Sequence, residues 1–161
     1  MPPKRLLLAL FLFATCAEAR QTVGVYKGWA AFRDDAPSRC YAISTAQRAS
    51  APAPGAAFAT VANWPLRRLA NQIHVRLSRS IRPGSTILLT IDARVFQLVG
   101  RGADAWAPVG PAGREIVAAM RTGLTMRVAA RDERGNAFTD SYVLSGAATA
   151  IDAASLACRR R

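Results

Sequence analysis

A chain of 161 residues, 51% of them hydrophobic, is long enough to bury one core without many disulfides or a metal, and short for two domains. Its 22 Lys and Arg against 10 Asp and Glu give a formal charge of +12, which favours anionic partners. One histidine and three cysteines leave little material for histidine-driven nucleophilic catalysis or a zinc site.

The first 19 residues have the three parts of a secretory signal. Lys4-Arg5 is the charged start, Leu6 to Ala14 the apolar middle, and Ala17-Glu18-Ala19 the small-residue cleavage site. Residues 1–19 are therefore expected to be removed and 20–161 to form a single β-rich domain in the periplasm or outside the cell. A lipid-anchored form would begin at Cys16, but Phe13-Ala14-Thr15 before it matches such processing poorly. The apolar middle is shorter than the roughly 20 residues a spanning helix needs, and no later stretch reaches that length, so no transmembrane segment is expected in the mature chain. Loss of Lys4, Arg5 and Glu18 leaves a charge of +11, with Lys27 the one mature lysine. This arginine and alanine bias is also what a GC-rich genome produces without selection for binding. The two remaining cysteines, Cys40 and Cys158, belong to an oxidising compartment, where thiols usually pair. Their bridge would close almost the whole mature chain into one loop, which chain entropy values at about 4.7 kcal/mol. Two free thiols, or Cys158 pairing between molecules, are the alternatives.

In chain order, Arg20 to Gly28 leads in to a first short strand, Trp29 to Phe32. A turn over Arg33 to Ser38 comes next, then a second strand, Arg39 to Ser44. Gln47 to Ala57, with Pro52, Pro54 and Gly55, is a loop. Phe58 to Asn63 reads as a third strand ended by Trp64-Pro65, and Leu66 to Ala70 is ambiguous. Ile73, Val75 and Leu77 alternate with His74, Arg76 and Ser78, the mark of a strand with one buried and one wet face. After a turn at Arg82-Pro83-Gly84-Ser85, Thr86 to Ile91 is the most apolar strand, expected to be central with Ile87, Leu89 and Ile91 inward. Val95 to Val99 comes after the turn at Asp92-Ala93-Arg94, and Gly100 to Asp104 turns again before Trp106 and a Pro/Gly-rich loop. Gly113 opens a helical run with Ile116, Val117 and Met120 on one face, and Gly123 stands where it would stop. Two alternating runs, Leu124 to Ala129 and Ala137 to Leu144, flank a charged turn and make a hairpin. An Ala-rich second helix then runs toward Cys158. The sum is a mainly β fold, an antiparallel β-sandwich or partly closed barrel with two short helices.

The candidate chemistry is sparse. His74 lies on the polar face of its strand and reads as a surface histidine rather than a catalytic base. Asp34-Asp35 and Asp132-Glu133 sit in polar turns, where carboxylates serve turn geometry and solubility. Gly100-Arg101-Gly102 lacks the following helix and third glycine of a phosphate cradle and reads as a hairpin turn. Trp29, Trp64 and Trp106 read as core or edge anchors. No catalytic, metal or cofactor set is expected. The arginines are scattered and no aromatics interleave with them as in a base-stacking surface, so no specific nucleic acid is expected. Lipopolysaccharide, polysaccharide or membrane headgroups fit better, and Arg76, Arg79 and Arg82 are the expected contact for such an anion.

Trp29 with the hairpin to Cys40-Tyr41-Ala42-Ile43, the Gly84-to-Asp92 strand and the block Ile116 to Arg121 before Gly123 carry a resemblance, together with Gly135, Leu144, Ser145, Gly146 and Ala150. Over roughly Val25 to Ala153 the chain resembles the invasion-associated locus B family, proteins exported by alphaproteobacteria with a β-rich, sandwich-like domain. It departs from that pattern in having Phe32 and Arg33 where the family carries a cysteine, and in lacking mid-chain cysteines, which makes it a divergent member. The family has no established catalytic residues to carry over. The signal, the single bridge, the basic surface and the missing catalytic set point to an exported, non-catalytic envelope-associated or binding protein resembling that family, whose partner is expected to be an anionic envelope polymer or another protein. Alternatives are a periplasmic inhibitor or chaperone-like partner, and an exported hydrolase built on Asp34, Asp35, Asp92 or Asp140.

Overall fold

The computed structural model describes residues 20–47 and 57–159. The expected signal, most of the Pro-rich loop and Arg160-Arg161 lie outside them. Ten strands form one antiparallel sheet: β1 (Arg20–Tyr26), β2 (Trp29–Asp34), β3 (Arg39–Thr45), β4 (Phe58–Trp64), β5 (Leu69–Arg76), β6 (Ile87–Ile91), β7 (Arg94–Arg101), β8 (Asp104–Trp106), β9 (Thr125–Arg131) and β10 (Ala137–Val143). Helix α1 (Pro111–Thr122) precedes β9, and α2 (Ala147–Arg159) comes after β10. The spatial order is β1-β2-β3-β4-β5-β8-β7-β6-β9-β10. Strands β1 and β10 do not pair, so the sheet is open, not a barrel.

The sheet instead folds over on itself, and β7 is the corner. Its first part, Arg94 to Leu98, pairs with β6, while Val99 to Arg101 pair with β8. Glycine at position 100 permits this, because a Cβ there would collide with Ile87 Cδ1 and lie 2.7 Å from the Asp104 carbonyl oxygen. The two ends of the sheet then meet face to face. Trp29, fully buried, donates its Nε1–H to the Val143 carbonyl at 2.9 Å, the Gln47 N–H donates to Ser141 O, and the Ser78 N–H donates to Asp140 Oδ2 at 2.9 Å. Between them lies one core, with Val61, Ile73, Val75 and Leu77 from one half and Ile87, Leu89, Ile91, Met126, Val128 and Tyr142 from the other. The period-2 alternation in β5, β6, β9 and β10 is thus the inward face of a folded sheet, and β6 is an interior strand between β7 and β9.

Helix α1 adds Ile116, Val117 and Met120 to that core. Gly123 ends it as the spacing predicts, for a different reason from the usual left-handed cap. Its φ is −78°, and the constraint is space, since a Cβ would come within 2.7 Å of Ile91 Cγ2. Helix α2 buries Ala147, Ala150, Ile151 and Ala154, and the three alanines let it lie close on β1, β2 and β3. Gly146, at φ +94°, has Tyr26 O where a Cβ would be, so the entry to α2 requires glycine twice over. At the other end of α2, Cys158 is bonded to Cys40 of β3, with Cα atoms 5.7 Å apart and 118 positions between them in sequence.

Three local expectations change. Arg20 to Tyr26, expected as a lead-in, is an edge strand with one register shift between Thr22 and Gly24; half-exposed edges need no clean alternation. Asp104 to Trp106, expected to close a turn and lead into a loop, is the short β8, where three residues are too few to display a period. The ambiguous Leu66 to Ala70 divides into a 3₁₀ turn, Pro65–Arg67, and the start of β5.

Candidate anion-binding surface

The three arginines expected to hold an anion differ in what they already hold. Arg76 stands directly across from Asp104 in the β5–β8 register, and its Nη1 donates to Asp104 Oδ2 at 2.6 Å. The other oxygen of Asp104 lies 2.9 Å from His74 Nε2. His74 is no free surface histidine. Its ring stacks on Trp106 at 5.3 Å and meets the edge of Phe58 at 5.7 Å, because His74, Thr60 and Trp106 are cross-strand neighbours on the outer face. Arg79 donates to Asp132 Oδ2 at 3.0 Å and lies over the Phe138 ring at 5.8 Å. Arg82 is exposed and forms no ion pair among the described residues. Exposed arginine–carboxylate pairs stabilise by about 0–1 kcal/mol, so Arg76 can exchange its carboxylate for a ligand anion at small cost, whereas Arg79 is paired with the buried Asp132.

The carboxylates are committed to structure. Burial raises the pKa of the Asp132 carboxyl, but N–H donors from Asn136 and Arg134 and the Arg79 guanidinium outweigh it and hold the group below the usual range. Asp92 is held below that range as well, chiefly by the Thr125 N–H and then by the Leu124 N–H. These bonds tie the β6–β7 turn to the start of β9. Asp34 pairs with Arg20 and Arg39, Asp35 with Arg33, and Asp140 accepts the Ser78 N–H. Of three clefts on the described surface, none is lined by Asp or Glu. The carboxylates that a hydrolase would need thus each serve a different structural bond.

Aromatics do interleave with arginines once the strands are in register, contrary to the linear reading. Phe32 pairs with Tyr41 across β2–β3, the two rings 5.7 Å apart, with Arg20 over both. Arg39 lies over Tyr41 at 4.6 Å and over Trp64 at 5.4 Å, and Arg67 over Trp64 at 5.0 Å. Sequence spacing conceals such a set because its members come from β1, β2, β3, β4 and the β4–β5 connection. The guanidiniums sit on the rings, so these are cation–π contacts and not open stacking platforms.

The folded-over sheet with one helix on each side of β9–β10 in sequence has a solved counterpart. It is similar to the crystal structure of invasion associated protein B from Bartonella henselae. The two superpose with a TM-score of 0.64 over 87% of this chain and 99% of that one, at 14% identity. The likeness is one of fold. No family model matches the sequence, and no curated protein matches it. Among the described residues no helix is long and apolar enough to cross a membrane.

Proposed function

We propose that this chain is an exported, non-catalytic, envelope-associated binding protein, a divergent relative of the invasion-associated locus B proteins, that contacts anionic envelope polymers through its arginine surface. The observation that carries this reading is the surplus of uncommitted arginine. Arg67, Arg68, Arg82, Arg94, Arg101, Arg114, Arg127, Arg134 and Arg159 are all exposed and form no ion pair among the described residues, whereas Asp34, Asp35, Asp104, Asp132 and Asp152 are each paired. Export is supported by the signal-like N-terminus, the disulfide and the fold of the Bartonella protein. The test is binding of the purified protein to lipopolysaccharide at a series of salt concentrations. Affinity should fall steeply as the Debye length shrinks from about 30 Å at 0.01 M to about 8 Å at 0.15 M. Absence of binding at the lowest salt would end the reading.

A partner protein is the second reading, and the open edge of β1 beside a cleft of about 470 Å³ against α2 favours it. Strand addition at an edge is a common docking mode. The edge, however, bears a register shift between Thr22 and Gly24 and charges at Arg20 and Lys27, two devices by which sheet edges discourage added strands. These features favour an anionic polymer over an added strand as the partner.

A further inference from the structure

We propose that the hollow where the β4–β5 connection meets the start of α1 and the end of α2 binds a saccharide bearing two or more oxyanions, phosphate or carboxylate, with Arg68 at its centre and Arg114 and Arg159 at its ends. The inference rests on the anionic-polymer reading and assigns it a site distinct from Arg76, Arg79 and Arg82. Two adjoining clefts, of about 260 and 400 Å³, share Arg68, Leu69, Ala70 and Asn71, and together they are of small-ligand size. Arg114 lines the first and Arg159 the second, so each cleft carries Arg68 and one further arginine. No carboxylate lines either cleft and none of the three arginines is ion-paired among the described residues. Like charges gathered around one concavity are mutually unfavourable until an anion enters, and guanidinium forks match phosphate and carboxylate oxygens two at a time.

The surrounding backbone is built to hold this arrangement. Arg68 has φ +51° and Asn71 φ +57°, a left-handed conformation that L-residues other than Asn and Asp seldom adopt. The Arg68 N–H closes on Pro65 O at 3.1 Å, and the Asn71 N–H donates to Asn63 Oδ1 at 3.0 Å. Arg159 is the next residue after Cys158, whose bond to Cys40 pins the end of α2 to the sheet. The walls are mixed. Pro65, Leu69 and Ala70 offer apolar surface beside Asn71 and Ser155, a combination that suits a sugar ring with hydroxyls. An acidic peptide fits less well, because two left-handed residues within four positions prevent this strand edge from accepting an added strand.

Titration calorimetry of the purified protein with glucose 1,6-bisphosphate, trigalacturonate and hexaglutamate tests the site. The variant Arg68→Asn/Arg114→Ser/Arg159→Ser keeps a residue that tolerates left-handed backbone at position 68. Its affinity for the better-bound saccharide should fall about 30-fold or more, as expected when several charge-assisted bonds are lost. Lys27→Asn/Arg121→Ser/Arg131→Ser removes the same charge at residues that line neither cleft and should change affinity less than about threefold. Equal losses in the two triple variants overturn the proposal, as does hexaglutamate binding more tightly than either saccharide. Should the first triple variant fail to fold, Arg114→Ser and Arg159→Ser singly, both at exposed helix positions, should each weaken binding about fivefold; no change in either overturns it. Lipopolysaccharide vesicles beside the soluble saccharides separate a lipid headgroup from a free sugar as the source of the anion. Salt-sensitive lipopolysaccharide binding that the groove variant leaves intact sinks the site and spares the broader reading, whereas no polyanion binding at all sinks both.

Discussion

Around Asp104 and Asp132 the guanidiniums of Arg76 and Arg79 are matched one to one by carboxylates, while around Arg68 three guanidiniums share two clefts and no carboxylate. The residue type is the same and the consequences are opposite. Asp104 is the direct cross-strand partner of Arg76, so the pairing of β5 with β8 delivers the counter-charge along with the hydrogen bonds. The hollow around Arg68 is made by the start of β5, the connection before it and two helix ends, and the β4–β5 ladder there places no carboxylate opposite an arginine. Arg76 and Arg79 therefore serve the fold, and Arg68, Arg114 and Arg159 are left available to a ligand.

The largest perturbation of that contrast removes what seats Arg159. Replacing Cys40 and Cys158 together by serine should cost about 2–5 kcal/mol in urea unfolding and should weaken saccharide binding at the hollow. An unchanged midpoint would mean that α2 is held by its Ala-rich face alone.

Acid acts on the carboxylates that the fold has claimed. Asp92 and Asp132 have folded-state pKa values below the ordinary carboxylate range. The stability they contribute is fully present above the unfolded value of about 4 and is lost as pH falls through the folded values. The urea midpoint should thus hold from pH 7 to about 4 and then decline, and Asp92→Asn should make that decline shallower. A midpoint equally steep in the variant would remove the Asp92 bonds to Leu124 and Thr125 from the account.

A core substitution that touches neither class sharpens the baseline. Tyr142 is 1% exposed and its hydroxyl has no partner among the described residues; burial, and then the Asp140 carboxylate, push its pKa far up. Tyr142→Phe removes an unsatisfied polar group and should be neutral or stabilising by about 1 kcal/mol. A clear loss of stability would reveal a bond to that hydroxyl. The smallest effect is expected from Asp104→Ser, which turns Arg76 into an unpaired arginine. Stability should change by less than about 1 kcal/mol, and lipopolysaccharide affinity at low salt should rise. A fall in affinity would mean that the pairing itself orients Arg76 toward the ligand.

Much of the architecture is legible in the chain without coordinates. The alternation of Ile73, Val75 and Leu77, of Ile87, Leu89 and Ile91, and of Phe138, Asp140, Tyr142 and Leu144 marks inward faces, and Ile116, Val117 and Met120 mark the buried stripe of α1. The pairing of Cys40 with Cys158 is expected once two thiols remain in an exported chain. Strand β1 is hidden by its ragged edge pattern and β8 by its length. Of the expected ligand arginines, Arg76 and Arg79 are spoken for by acids 28 and 53 positions away, and His74 lies between aromatics from two other strands. Arg68, Arg114 and Arg159 carry no shared local signal. Which residues face inward and which two sulfurs join can be read from the linear chain, because periodicity and cysteine number are properties of contiguous residues and of simple counts. Which arginines are neutralised could be settled by the fold alone, because charge pairing depends on distances that the folding-over of the sheet and the seating of two helix ends create.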